Sequence, residues 1–283
     1  MVESSPDAKP IIAAFVSEMM TTTRIKSAAQ SQGFELQVID SGFSEENENF
    51  SPLEGEPTSG PDAAIFEKIT RWNPALIIID LGDKNIPWRH WLKRLKSSPA
   101  ARRFPVLCFG PHVDKVTLAE AKELTADYVL PRSKFFRYLP SVIDDSVRDD
   151  DTGAIASTCS EPLALDAAAG INAFNQGHYF EAHEHLEDAW NADKTAGRNF
   201  YQALTQIAVV YLQVDRLNYR GAYKMLLRSR QWFHGLPDLC HGVDVKSIKV
   251  CSEEIFQELV RLGPERMTEF DVTILKPITY AKH

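Results

Sequence analysis

No apolar run approaches the roughly 20 residues that span a bilayer as a helix, so a membrane-spanning segment is not expected. Cysteine is scarce. Cys108, Cys159, Cys240 and Cys251 form no CxxC pair and show no framework spacing. That excludes a disulfide scaffold readable from sequence and predicts free thiols in a reduced, cytoplasmic compartment. Positive charge is in deficit: 31 Lys and Arg against 39 Asp and Glu leave a formal net charge of -8, which disfavours nucleic acid and anionic membrane surfaces as partners. The start, MVESSPDAKPIIAAFVSEMM, lacks the form of a signal peptide, since it opens acidic and its apolar run is broken by Ser17 and Glu18. What is present is an ordinary globular balance, 44% hydrophobic and 25% charged, over 283 residues, a length for one large domain or two ordinary ones.

The two halves differ in pattern. From about residue 10 to 143, short apolar runs alternate with helical stretches. PIIAAFV, FELQVI, ALIIID, PVLCF and DYVL read as five strands, and the continuous apolar run in the third is that of a parallel strand covered on both faces. Helix-like segments at Ala63–Arg71, Trp88–Lys96 and Leu118–Leu124 lie between them. This alternation predicts an α/β doubly wound parallel sheet. Residues 41–62 interrupt it with an acidic stretch rich in Gly, Pro and Ser, read as an insertion. Residues 144–161 read as an acidic linker. From Pro162 to about Leu262 the pattern is consecutive helices with short connections, an all-α helical bundle filling 162–283.

Asp80 ends the third strand in LIIIDLGD, at the carboxyl edge where such sheets bind ligands. On strand order, spacing and this aspartate, residues 10–143 resemble the response-regulator receiver domain. The resemblance implies Asp80 as phosphoacceptor. Receivers also carry an acidic pair after strand one to hold Mg²⁺, a Ser or Thr after strand four and a Lys after strand five. Those places fall here on Val16 and Ser17, on Gly110, and on Pro131 or Arg132. The expectation is a degenerate, pseudo-receiver domain that takes phosphate inefficiently and serves a protein partner. A true phospho-accepting response regulator with a non-DNA output, with Glu18 and Arg132 substituting, is the alternative.

In the second half, YFEAHEHLEDAW reads as an amphipathic helix. Taking about 100° per residue, Glu181, Glu184, His185 and Asp188 share a wet face. His183 and Glu187 are expected in the middle of the apolar arc, with Trp190, Phe180 and Leu186 around them. A buried imidazole or carboxylate must be paired, and i, i+4 spacing makes these two neighbours. The next helix, RNFYQALTQIAVVYLQV, is apolar nearly all round except for Gln202, Gln206 and Gln213, a polar seam that can face the pair. Arg198 at its start is a charge partner for Glu187.

His183-x-x-x-Glu187-x-x-Trp190, with FNQGHYFEAHEHLEDAW, FYQALTQIAVVY and LNYRGAYKMLLRS, resembles the helical family called domain of unknown function 309. The resemblance implies an all-α bundle and a suggested divalent-metal role for His183 and Glu187, with no established reaction. Two readings stay open for the cluster of His183, Glu187, Trp190, Arg198, Gln202 and Gln206. One is a closed hydrogen-bond network. The other is a site for a metal, small ligand or partner, which in its enzymatic form makes Glu187 a metal ligand or general base.

Overall fold

IIAAF, LIIID and VLCFG are buried almost throughout, and they become the three middle strands of a five-stranded sheet in the computed structural model, which describes residues 9–43, 55–148 and 152–281. These are β1 (Ile11–Phe15), β3 (Leu76–Asp80) and β4 (Val106–Gly110). The less apolar β2 (Glu35–Ile39) and β5 (Tyr128–Pro131) take the edges, where one side of a strand meets no neighbour. All pairings are parallel, in the order β2-β1-β3-β4-β5. This is the doubly wound order whose crevice opens at the carboxyl ends of β1 and β3.

The period of two along each strand divides the core between two faces. Ile12, Ala14, Leu76, Ile78, Leu107 and Phe109 form one cluster with Ile25 of α1 (Met19–Ser31), Phe135 of α5 (Arg132–Arg137) and Ile143 of α6 (Leu139–Ser146). Phe109 and Phe135 stack with ring centroids 4.1 Å apart. The alternate strand residues, among them Phe15, Ile77 and Ile79, are fully buried. Phe15 meets Trp91 of α3 (Trp88–Ser97) at 5.3 Å between rings. The remaining helices of this unit are α2 (Gly60–Trp72) and α4 (Lys115–Glu123). Most of the acidic insertion expected at 41–62, residues 44–54, lies outside the described residues.

The chain divides into two units, residues 1–149 and 150–283. Part of the segment read as linker has regular structure. Ser146 is buried in α6, and residues 152–158 form α7 (Thr152–Thr158), with Ile155 buried.

The second unit is built on α8 (Leu165–Asn175), α9 (Tyr179–Ala192), α10 (Arg198–Asp215), α11 (Tyr219–Phe233) and α12 (Val245–Leu262). Close approach of α8 and α9 depends on a missing side chain. A Cβ on Gly170 would lie 2.8 Å from Leu186 Cγ and 3.2 Å from the Ala182 carbonyl. The α10–α11 turn is closed by Asn218, whose side chain accepts from Gly221 N–H at 3.1 Å. Between α11 and α12 the sequence offers no strand alternation, yet a short antiparallel hairpin forms, β6 (Leu239–Cys240) and β7 (Val243–Asp244). His241 and Gly242 occupy its two-residue turn with φ of +51° and +77°, the left-handed pair that matches strand twist. Tyr280 of the tail bridges to Val243.

The expectation of free thiols fails for two cysteines. Cys159 and Cys240 form a disulfide across 81 residues of sequence. The hairpin brings Cys240 to the segment after α7, where His241 N–H donates to the Cys159 carbonyl at 2.7 Å. No spacing rule reveals such a contact, because it depends on the tertiary path. Cys108 and Cys251 are free and buried. Alkylation of denatured protein purified without reductant should therefore modify two cysteines; modification of all four would show the bridge to be absent. Cys159→Ser should lower the urea midpoint of the helical unit by an amount equivalent to about 2–4 kcal/mol.

Candidate functional site

Two places where the sequence puts polar chemistry can be compared, and their geometry differs. At the carboxyl edge of the sheet, Asp80 is only 1% exposed, and both its oxygens are engaged. One accepts from Gly82 N–H at 2.9 Å and the other from Arg132 Nη2 at 2.5 Å. Arg132 also lies 3.6 Å from the Glu18 carboxylate, and Thr21 donates its hydroxyl to Glu18 at 2.7 Å. Arg132 thus bridges Asp80 and Glu18. The places of the acidic pair do not supply metal ligands: Val16 is fully buried, and Ser17 donates its N–H and hydroxyl to Asp83 at 2.7 and 2.6 Å. Burial works to raise the Asp83 carboxyl, but the bonds from Ser17 and Asn85 outweigh it and hold the group below its ordinary range. The edge is a set of pairs in which one N–H of Arg132 occupies an Asp80 oxygen, while its other terminal nitrogen donates to the Thr21 hydroxyl at 3.4 Å.

The helical unit corrects one expectation. On α9 the buried residues are Ala182, Leu186 and Ala189, a face centred about 100° from His183. His183 and Glu187 lie on its margin, with side chains 29% and 46% exposed and 3.9 Å between Nε2 and Oε2. Phe180, which sequence reasoning placed in the apolar arc, is 56% exposed. The packed face is mostly small residues, and α8 approaches it closely at Gly170, where an added Cβ would meet Leu186, the Ala182 carbonyl and His185 Cβ. Glu181, Glu184 and Asp188 are exposed, as expected, and His185 sits 3.9 Å from Glu181.

On α10 the expected seam is present. Arg198 holds its guanidinium over the Trp190 ring, 4.9 Å from the centroid. One turn on, Gln202 is 8% exposed; a further turn on lies Gln206. The Nε of Arg198 and the Oε1 atoms of Gln202 and Gln206 are buried without a hydrogen-bond partner. Gln213 is instead bonded by Asn218 at 2.7 Å, which closes the far end of the seam. The closed network expected among histidine, glutamate, arginine and glutamines therefore does not form among the described residues. A metal does not fit the donor set either. Among the described residues no group of three or more His, Cys, Asp or Glu is placed to hold an ion, whereas zinc takes three or four protein ligands.

A third feature went unseen in the sequence. A cavity of about 270 Å³ lies between α10, the start of α12 and the C-terminal tail, lined among others by Ile207, Tyr211, Cys251, Ser252 and Ile278. The Tyr211 hydroxyl donates to the Lys276 carbonyl at 3.0 Å and accepts from its N–H at 3.1 Å. Burial, then contact with Cys251, pushes the Tyr211 hydroxyl well above its ordinary value. A tyrosine within an apolar helix looks like core, and its polar partners come from a tail 65 residues away.

Residues 167–225 match the family described as Domain of unknown function (DUF309). His183, Glu187, Trp190, Arg198, Gln202 and Gln206 all fall inside the match. No curated protein matches the chain. Similar solved structures include a response regulator from Thermotoga maritima, 15% identical, with a TM-score of 0.34, covering 48% of this chain and 96% of that one. Full-length FixJ from B. japonicum is 15% identical, with a TM-score of 0.36, and covers 78% of this chain and 98% of its own. The phosphorylated cyanobacterial phytochrome response regulator RcpA is 14% identical, with a TM-score of 0.36, over 50% and 100%. The likeness is weak, and the receiver-like fold rests on the strand order itself. Among the described residues no helix is long and apolar enough to cross a membrane.

Burial raises the Asp80 carboxyl above its ordinary value, against the opposing pull of Gly82 N–H and Arg132. The native chain then binds that proton more tightly than the unfolded chain. Its stability falls as pH rises from the ordinary carboxylate range through the native value, and this contribution is constant above it. Asp80→Asn lacks the titration. Urea unfolding at a series of pH values should show the variant gaining on the wild type across that window, and a pH-independent difference would mean that Arg132 cancels the burial.

Proposed function

We propose that this is a regulatory or signalling protein in which a degenerate receiver-like unit serves as a protein-interaction module and the helical unit binds a small ligand along the α9–α10 seam. One observation carries the ligand reading. Arg198, Gln202 and Gln206 keep buried polar atoms without partners on successive turns of one helix. Each such atom costs about 1–3 kcal/mol. A sequence shaped for stability alone would place apolar residues there, and departures of this kind are expected where a site is kept for binding. His183 and Glu187 of the neighbouring α9 are partly exposed, which leaves them open to a ligand. The degenerate receiver reading is supported by the absent acidic pair and by the Arg132 bond to Asp80.

Gln202→Met keeps the volume and removes the unpaired amide. It should raise the stability of the helical unit by about 1–2 kcal/mol in urea unfolding. A loss of stability would instead assign Gln202 to a structural network and sink the ligand reading. For the other unit, acetyl phosphate with Mg²⁺ should leave the chain unmodified by intact-mass analysis. An added phosphoryl group absent from Asp80→Asn would establish the phospho-accepting alternative.

A further inference from the structure

The polar atoms of the seam are gathered at one end of α10, and that end has an electrical sign. The helix runs for 18 residues, its N-cap residue is Gly197, no side chain caps it, and its first turn carries no acidic residue. The N–H groups of Arg198 and Phe200 already donate to the Thr195 and Gly197 carbonyls, at 3.4 and 2.9 Å, so what the helix start offers a ligand is its partial positive charge. A cation is unfavourable there, yet Arg198 is the first residue of the helix. Among the described residues Arg198 has no carboxylate partner, and its Nε is buried without a hydrogen bond. Trp190 beneath the guanidinium holds its plane in place. Asp193, in the loop before α10, accepts from Thr195 N–H at 2.7 Å, and Glu187 of α9 lies 3.9 Å from His183.

Gln202 supplies the second observation. Its side chain is more than nine-tenths buried, lies one turn along the same face, and lacks a partner for its amide oxygen. A half-turn of the amide exchanges oxygen for NH₂. Gln202 and Gln206 can therefore each turn a donor toward an anion that Arg198 has drawn in.

Resting on the ligand reading above, we propose that the seam binds a small organic carboxylate. Arg198 would take it through two parallel N–H bonds, the start of α10 would stabilise its charge, and the Gln202 and Gln206 amides would complete its hydrogen bonds. The planar fork of arginine matches a carboxylate in two bonds. A single cation flanked by neutral amides suits a planar monoanionic group better than a phosphate dianion, which calls for more positive charge.

The test uses the full chain, ¹⁵N-labelled, titrated in turn with sodium acetate, sodium succinate and sodium phosphate against sodium chloride at matched ionic strength. Acetate or succinate should shift the Arg198 Nε–H and the side-chain amide signals of Gln202 and Gln206 in a saturable way. Arg198→Lys keeps the charge and removes the fork, and it should weaken that binding at least tenfold. Equal shifts with chloride, or saturation by phosphate only, would overturn the carboxylate assignment. If neither carboxylate binds while Gln202→Met still stabilises the protein, the site stands and only its ligand class is wrong. If Gln202→Met destabilises, the ligand reading and this proposal fall together.

Discussion

A polar group taken out of water must find a partner, and Asp80 and Gln202 meet that demand in opposite ways. Asp80 is carried to the closed edge of a parallel sheet, and Gly82 and Arg132 occupy both its oxygens. Gln202 is also buried, on a helix most of whose residues are buried, and its amide oxygen has no hydrogen-bond partner. The first arrangement is complete within the chain. The second leaves bonding capacity over, and the same low dielectric that strengthens a buried hydrogen bond makes an unmade one expensive.

The packing around α10 explains why the seam survives. Eleven of its residues are buried, so little of its surface is left for a polar residue to reach water. Its neighbour α9 buries Ala182, Leu186 and Ala189, and α8 approaches it closely at Gly170. His183 and Glu187 stay partly exposed, where a fully buried ion pair would have required desolvating both charges. The sheet unit shows the converse economy. Arg132 remains one-third exposed while neutralising a buried acid, so only one of the two charges leaves water entirely.

Much of the fold was legible. Period-two burial and continuous apolar runs located all five strands within a residue or two, because a parallel strand covered on both faces has little freedom of composition. The helical half was legible from its 3.6-residue period and its Gly and Asn punctuation. The β6–β7 hairpin was not, since two-residue strands carry no period and only the His241-Gly242 turn marks them. The glutamine seam was legible as well: polar residues on an otherwise apolar helix stand out whatever packs against them.

The sequence by itself determined which elements form and which of their residues are anomalous, because periodicity and burial preference are local properties of the chain. Only the tertiary structure decided three things. It buried Ala182, Leu186 and Ala189 on α9 in place of His183, with α8 approaching closely at Gly170. It joined Cys159 to Cys240 across 81 residues. It also left one buried polar atom each of Arg198, Gln202 and Gln206 without a hydrogen-bond partner while giving Asp80 two. Partnership is a matter of three-dimensional distance, and no spacing along the chain encodes it.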